Sequence, residues 1–443
     1  MKKNCIRIIS ILLVLLITLP VTYAGVDTPG ERDYHYVALG DSIAAYFGVQ
    51  KGQGYAEILA DFLADEPGYE GLYLTNLARS GDDSTDILSM IDAYSETIRG
   101  ADLITISIGA NNFLGLLLNR IYGFFEERYG SDFGLSFPEV DDEILGELAE
   151  AFGGLSFLAE VAAGVERLRT DISTLISELR LLSPSAEIYF MLVYNPLSES
   201  DSIYGMVDIL VKSVNTIIED NSDLGYTTVA VYDAFRETGA QGLTFADISA
   251  GSFDPHPTVT GHKLIARTHF YAITGKTLEI PDDYSNALLL TRAEALSSLF
   301  DGIFSINPMI MNSIFRNGND VPEFSDVPEH HPRGMYVAAA RRFMIVNGVG
   351  GNLFQPDEYM TRQDYAVTLS RLCAVLQDMG YELDLQHGAA EAYPDIDSVA
   401  SYAFEAVEFF FATPLLTPID GMICPLEPIT SADAPAFRTL LRP

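Results

Sequence analysis

Four short patterns stand out for their reactive and polar side chains. They are Gly40-Asp41-Ser42, Asn76-Leu77-Ala78-Arg79-Ser80-Gly81, Gly109-Ala110-Asn111-Asn112 and Asp254-Pro255-His256-Pro257. A serine hydroxyl is a poor nucleophile unless a base takes its proton. His256 is a candidate base, and Asp254 can orient and support its imidazole. The oxyanion of an acyl transfer needs fixed hydrogen-bond donors, and the backbone N–H groups of Ser42 and Gly81 with the side-chain amide of Asn111 could supply them. Each pattern alone has an ordinary reading. Gly-Asp-Ser after a strand can be a helix cap, Gly81 a turn, Asn111 a loop residue bonding its own backbone and His256 a surface histidine. Their order along the chain, each at an element end, favours one joint site.

The other histidines add nothing to this set. His262 follows Gly261 at the start of a helix and reads as exposed, His269 as core or surface, and His330-His331 as an isolated pair. No His/Cys/Asp/Glu group has metal-ligand spacing, and no glycine-rich phosphate loop follows a strand, so neither metal nor cofactor is expected.

The elements that must position these residues follow from hydrophobic patterning. Short β-branched or aromatic runs at His35–Leu39, Leu72–Leu77, Leu103–Ile108, Glu187–Val193 and Thr228–Tyr232 predict strands. Amphipathic stretches at Gly54–Leu63, Ser84–Thr97, Gly164–Leu182, Ile203–Asp220 and Thr260–Tyr271 predict helices between and after them. Strict alternation implies a parallel five-stranded sheet covered on both faces, a three-layer α/β/α fold. In such sheets ligands bind beyond the carboxyl ends of the strands, where the first three patterns fall. The connection at 113–158 is longer than a crossover needs. Leu114, Leu117, Ile121 and Phe125 could form an apolar helical face there, either lining an acyl site or simply joining the core, and an acidic run follows from Glu139 to Glu150.

These patterns resemble the GDSL-type, or SGNH, hydrolases over residues ~34–274. The resemblance implies a flavodoxin-like α/β/α fold and cofactor-free hydrolysis of carboxylic esters, as in esterases and lipases. The family's invariant roles would fall on Ser42, Gly81, Asn111 and His256, with Asp254 as the acid. Asn112 stands where the family pattern Gly-x-Asn-Asp ends in Asp. Asp254 lies two residues before His256 rather than three, which leaves Asp233 and Asp247 as alternative acids.

Beyond Gly275 the pattern changes. Phe324-Ser325-Asp326-Val327 recurs as Tyr393-Pro394-Asp395-Ile396, Phe354-Gln355-Pro356 as Ile423-Cys424-Pro425, and Thr361 as Thr430, all at an offset of 69. Thr291-Arg292-Ala293-Glu294 matches Thr361-Arg362-Gln363-Asp364, so a half unit (291–305) precedes the units 324–373 and 393–442. These units resemble S-layer homology (SLH) modules, which implies a smaller helical domain at 276–443 that associates with cell-wall polysaccharide. Arg292 and Arg362 are the candidate glycan-binding residues, since an arginine fork suits anionic groups. The alternative is a helical repeat that packs only on itself or on the hydrolase.

Composition narrows the remaining classes. With 26 Lys+Arg against 62 Asp+Glu the net charge is −36, which excludes a duplex-binding surface and disfavours anionic membranes. The acidity is spread evenly, with 13 bases and 39 acids over 25–275 and 10 and 23 over 276–443. Lys2, Lys3 and Arg7 precede an apolar run at Ile8–Val21 and a small-residue site at Thr22-Tyr23-Ala24, which predicts a signal peptide over 1–24 and an exported protein. Cys373 and Cys424 could pair outside the cell. Three functional expectations result: a wall-associated serine esterase or lipase, an O-acetylesterase of wall glycan, or a catalytically silent wall-binding protein.

Overall fold

The structure, a computed structural model, describes residues 33–113, 155–201, 203–246, 254–304, 324–380, 393–411 and 415–433, with isolated positions between them. The predicted signal peptide (1–24), most of the insertion (113–158), including Leu114, Leu117, Ile121 and Phe125, and Asp247 lie outside the described residues.

Five strands form one parallel sheet in the order β2-β1-β3-β4-β5: β1 (His35–Gly40), β2 (Tyr73–Asn76), β3 (Leu103–Ser107), β4 (Glu187–Met191) and β5 (Thr227–Val229). All pairings are parallel, with Ala38 of β1 opposite Asn76 and Thr105. Every residue of β1 and β3 is buried, as a strand covered on both faces requires. Alternate side chains divide between two cores. Val37, Leu39, Ile104, Ile106, Ile188 and Phe190 pack toward helices α2 (Ser84–Ile91), α4 (Leu155–Leu182) and α5 (Tyr204–Asp220). Tyr36, Ala38, Tyr189, Met191 and Val229 pack toward α1 (Tyr55–Leu63), α6 (Val231–Thr238) and α7 (Val259–Thr274). The expected α/β/α sandwich is therefore present. A short α3 (Ser95–Ile98) follows α2.

Two predicted boundaries are corrected. The fifth strand ends at Val229 and Val231–Thr238 is helical, because Tyr232 and Phe235 bury one helical face. Helix α4 begins nine residues earlier than expected from Gly164.

Beyond residue 290 the described helices are α8 (Arg292–Phe304), α9 (Gly334–Arg342), α10 (Arg362–Asp378) and α11 (Phe404–Phe411). They share a third core. The repeat is visible atom by atom. Asp326 accepts from the amides of Phe354 and Gln355, and Asp395 accepts from those of Ile423 and Cys424. The three equivalent segments then close on one another. Leu290 N–H donates to Ile429 O, Ile429 N–H to Met360 O, and Met360 N–H to Leu290 O, at 3.0, 2.8 and 3.0 Å. The opening half unit thus completes a ring of three. Cys373 and Cys424 are both free thiols.

Candidate active site

Ser42 follows β1 in a tight turn. Gly40 makes that turn possible: its φ is +152°, and a Cβ there would stand 2.5 Å from Ser107 O. The turn is pinned by Asp41 N–H to Ser107 O (3.0 Å) and by Phe47 N–H to Ser42 O (2.9 Å). The Asp41 carboxyl is buried and accepts from the Ile43 amide and the Ser107 hydroxyl. Burial pushes its pKa up to about 6, opposed by the Ile43 amide and the nearby His256.

His256 arrives on the loop before α7. Phe245 N–H donates to His256 O, and Thr258 caps α7 by accepting from Gly261 N–H. Tyr194 O–H donates to Pro255 O at 2.8 Å from beneath. His256 Nε2 lies 3.0 Å from Ser42 Oγ, and Nδ1 lies 2.6 Å from Asp254 Oδ1. With the ring proton on Nδ1 donated to Asp254, Nε2 is the acceptor for the Ser42 hydroxyl. The two-residue spacing closes because Asp254 Oδ1 also accepts from the His256 amide at 3.1 Å. Asp233, the alternative acid among the described residues, pairs instead with Arg236 on α6.

Gly81 occupies a turn in which Asp82 N–H donates to Arg79 O (3.3 Å), and its φ of +91° fits the third position of a type II turn. A Cβ at Gly81 would meet no neighbouring atom, so the positive φ rather than crowding is what calls for glycine here. Asn111 follows β3 and donates through Nδ2 to Asp82 O at 2.9 Å, tying the third pattern to the second. Asn112 turns away and is buried: it bonds the amide and hydroxyl of Ser84 at the start of α2. Ser42 and Asn111 thus come off β1 and β3, the point where strand order reverses and open α/β sheets bind ligands.

Ser42, Asn111 and His256 line a cleft of about 80 Å³ whose walls are mostly apolar. Val207, Leu210, Val211 and Val214 are one face of α5 at i, i+3, i+4, i+7 spacing, opposite Ile43 and Phe113. Gly109 allows α5 this close, since a Cβ there would stand 2.8 Å from Val214 Cγ1.

Several expectations change. His262 is fully buried rather than exposed; its Nδ1 accepts from Tyr55 N–H, and burial pushes its pKa down to about 3. His269 is also buried, and its Nδ1–H donates to Ile265 O. His331 pairs with Asp357. Arg292 and Arg362 do not present their forks outward. Arg362 is 0 % exposed, donates through Nε to Ile423 O, pairs with Asp433 at 3.0 Å and lies over the Phe411 ring. Arg292 repeats the arrangement with Phe354 O, the Phe354 ring and Asp364. The physical reason is the closed ring: each arginine packs into the joint between successive units. Sequence reading also missed Phe47, whose ring lies 4.1 Å from that of His256.

The sheet order and the four ordered patterns define an α/β/α hydrolase class. The chain belongs to the GDSL-like lipase/acylhydrolase family, which matches residues 38–264, and it is an ester-hydrolysing enzyme. An S-layer homology domain matches residues 323–366 and associates the chain with the cell surface. The uncharacterized protein YpmR of Bacillus subtilis (strain 168) is 24% identical over 284 residues, covering 60% of this chain and 96% of that protein. Among solved structures, an extracellular lipase from Streptomyces rimosus is 17% identical, covering 55% of this chain and 100% of that one, with a TM-score of 0.36. The acetylxylan esterase Axe2 from Geobacillus stearothermophilus is 16% identical, covering 56% and 97%, with a TM-score of 0.36.

Proposed function

We propose that this protein is a cell-surface serine esterase for carboxylic esters with an apolar acyl group. Residues 1–24 would direct export, 25–275 carry the reaction and 276–443 associate with wall polysaccharide. Ser42 Oγ attacks the ester carbonyl while His256 Nε2 takes its proton and Asp254 steadies the imidazolium. The oxyanion accepts from the Ser42 and Gly81 amides and from Asn111 Nδ2. His256 then returns the proton to the departing alkoxide, and water repeats the cycle on the acyl-enzyme.

The observation that carries this reading is the continuous Ser42–His256–Asp254 contact, at 3.0 and 2.6 Å, opening onto an apolar cleft. Acetate would leave most of that wall uncovered, whereas a longer acyl chain would cover it and gain from each buried methylene.

A chain-length series of p-nitrophenyl esters tests the reading, with Ser42→Ala as control. The octanoate should exceed the acetate by about tenfold or more in kcat/KM. The reverse order, with acetate released from O-acetylated wall glycan, would replace it with an O-acetylesterase. Failure of a fluorophosphonate to label Ser42 would leave a silent wall-binding protein.

A further inference from the structure

The turn carrying Gly81 is held from two sides, and the second side belongs to the repeat region. On the cleft side Asn111 Nδ2 donates to Asp82 O. On the far side Arg333 Nη1 donates to Ala78 O at 2.9 Å, across 255 residues of sequence. The Tyr336 hydroxyl lies 2.6 Å from Asp301 Oδ1 and 3.1 Å from Ser80 Oγ, within donating distance of both. Arg333 caps α9 and Tyr336 lies in its first turn, so one helix end makes both contacts. Both side chains are buried, and the atoms they hold belong to residues three and one before Gly81.

The nucleophile loop is reached by the same elements. The Arg333 guanidinium lies over the Tyr46 ring at 4.9 Å. Tyr46 has φ +53°, a conformation that a bulky residue keeps only when its surroundings impose it. The next residue, Phe47, packs on His256 with one side and joins the repeat-region core with the other. Lys51, further along this loop, pairs with Glu294 of α8 at 2.7 Å.

We infer that the repeat region completes the hydrolase site, with Arg333 and Tyr336 as positioning residues that fix the Gly81 turn and the loop behind His256. The inference rests on the esterase reading and adds to it. Oxyanion donors act only when preorganised, and a small displacement of a hydrogen-bonding amide costs rate rather than ground-state binding.

The test uses the full-length protein. Tyr336→Phe keeps the ring and removes the hydroxyl; it should lower kcat about 3–10-fold with KM within twofold. Arg333→Met should lower kcat about 10–100-fold, and Arg333→Lys should recover part of the loss. The rate of fluorophosphonate labelling of Ser42 should fall by the same factor as kcat/KM, which a purely structural contact would not produce. Wild-type kcat and labelling rate in a folded Tyr336→Phe protein would overturn the inference, and that variant decides if Arg333→Met does not fold. A wild-type protein that neither turns over esters nor labels at Ser42 would overturn the esterase reading and this inference with it. An active wild type with unaffected variants would overturn this inference alone.

Discussion

In the α/β region Ser42, Asn111 and His256 leave their elements and stop at the wall of a cleft. In the repeat region Arg292 and Arg362, equally prominent in sequence, turn inward and are held by carbonyls and carboxylates of the chain itself. Both regions commit polar groups to positions away from bulk water. One keeps them available for a substrate, and the other spends them on closure. A motif residue is therefore functional or structural according to what lies in front of it, and its type alone does not decide.

Substitutions can break this contrast, beginning with the largest effect. Ser42→Ala should reduce kcat on the order of 10⁴–10⁶-fold with the melting temperature unchanged, measured by ester turnover and thermal denaturation. A large drop in melting temperature would move Ser42 into the structural class. Asp254→Asn should lower kcat by roughly 10³–10⁴-fold, because the imidazole loses its partner for Nδ1–H; retained activity would return Asp247 to the role. Arg362→Ala should destabilise the repeat region by about 3–5 kcal/mol by leaving Asp433 unpaired, visible as an earlier unfolding transition. An unchanged transition with lost binding to wall polysaccharide would restore Arg362 as a glycan ligand.

The smallest effect is a pH dependence. Asp301 is buried, and its carboxyl is pushed up to about 7, opposed by the Tyr336 hydroxyl, Arg333 and His256. A raised carboxylate pKa means that the folded state holds the proton longer than the unfolded chain does. Stability from this group is therefore complete below about pH 4 and falls as pH rises toward 7. Asp301→Asn should remove that slope and stabilise the protein at pH 7 and above, by on the order of 1–3 kcal/mol. Melting curves across pH 4–8 that run parallel in the two proteins would count against it.

Much of this was legible in sequence because it is local or periodic. Strand runs, helix spacing and the offset of 69 each leave a signal within one element or one repeat. The Ser42, Gly81, Asn111 and His256 positions were legible because each follows or precedes an element end. What was not legible depends on contacts between distant segments. Nothing near Arg333 or Tyr336 announces that they reach Ala78 and Ser80. His262 looked exposed because Gly261 beside it suggested a helix start; yet a Cβ at Gly261 would stand 2.1 Å from Leu243 O, and this close approach is part of what buries the helix end. The inward turn of the arginines was not legible for the same reason, since an offset fixes register but not which way a side chain faces.

The ring of Leu290, Met360 and Ile429 also sets when the molecule is finished. An open stack of repeats can begin folding at any unit and grow from there. Here the segments of Leu290 and Ile429 bond directly, so closure waits until Ile429 is present. Helices α8 and α9 lie in that ring's core, and the start of α9 carries the two side chains that reach Ala78 and Ser80. A chain emerging N-terminus first would thus assemble its sheet early and receive the contacts of Arg333 and Tyr336 in their final setting only after Ile429 has arrived.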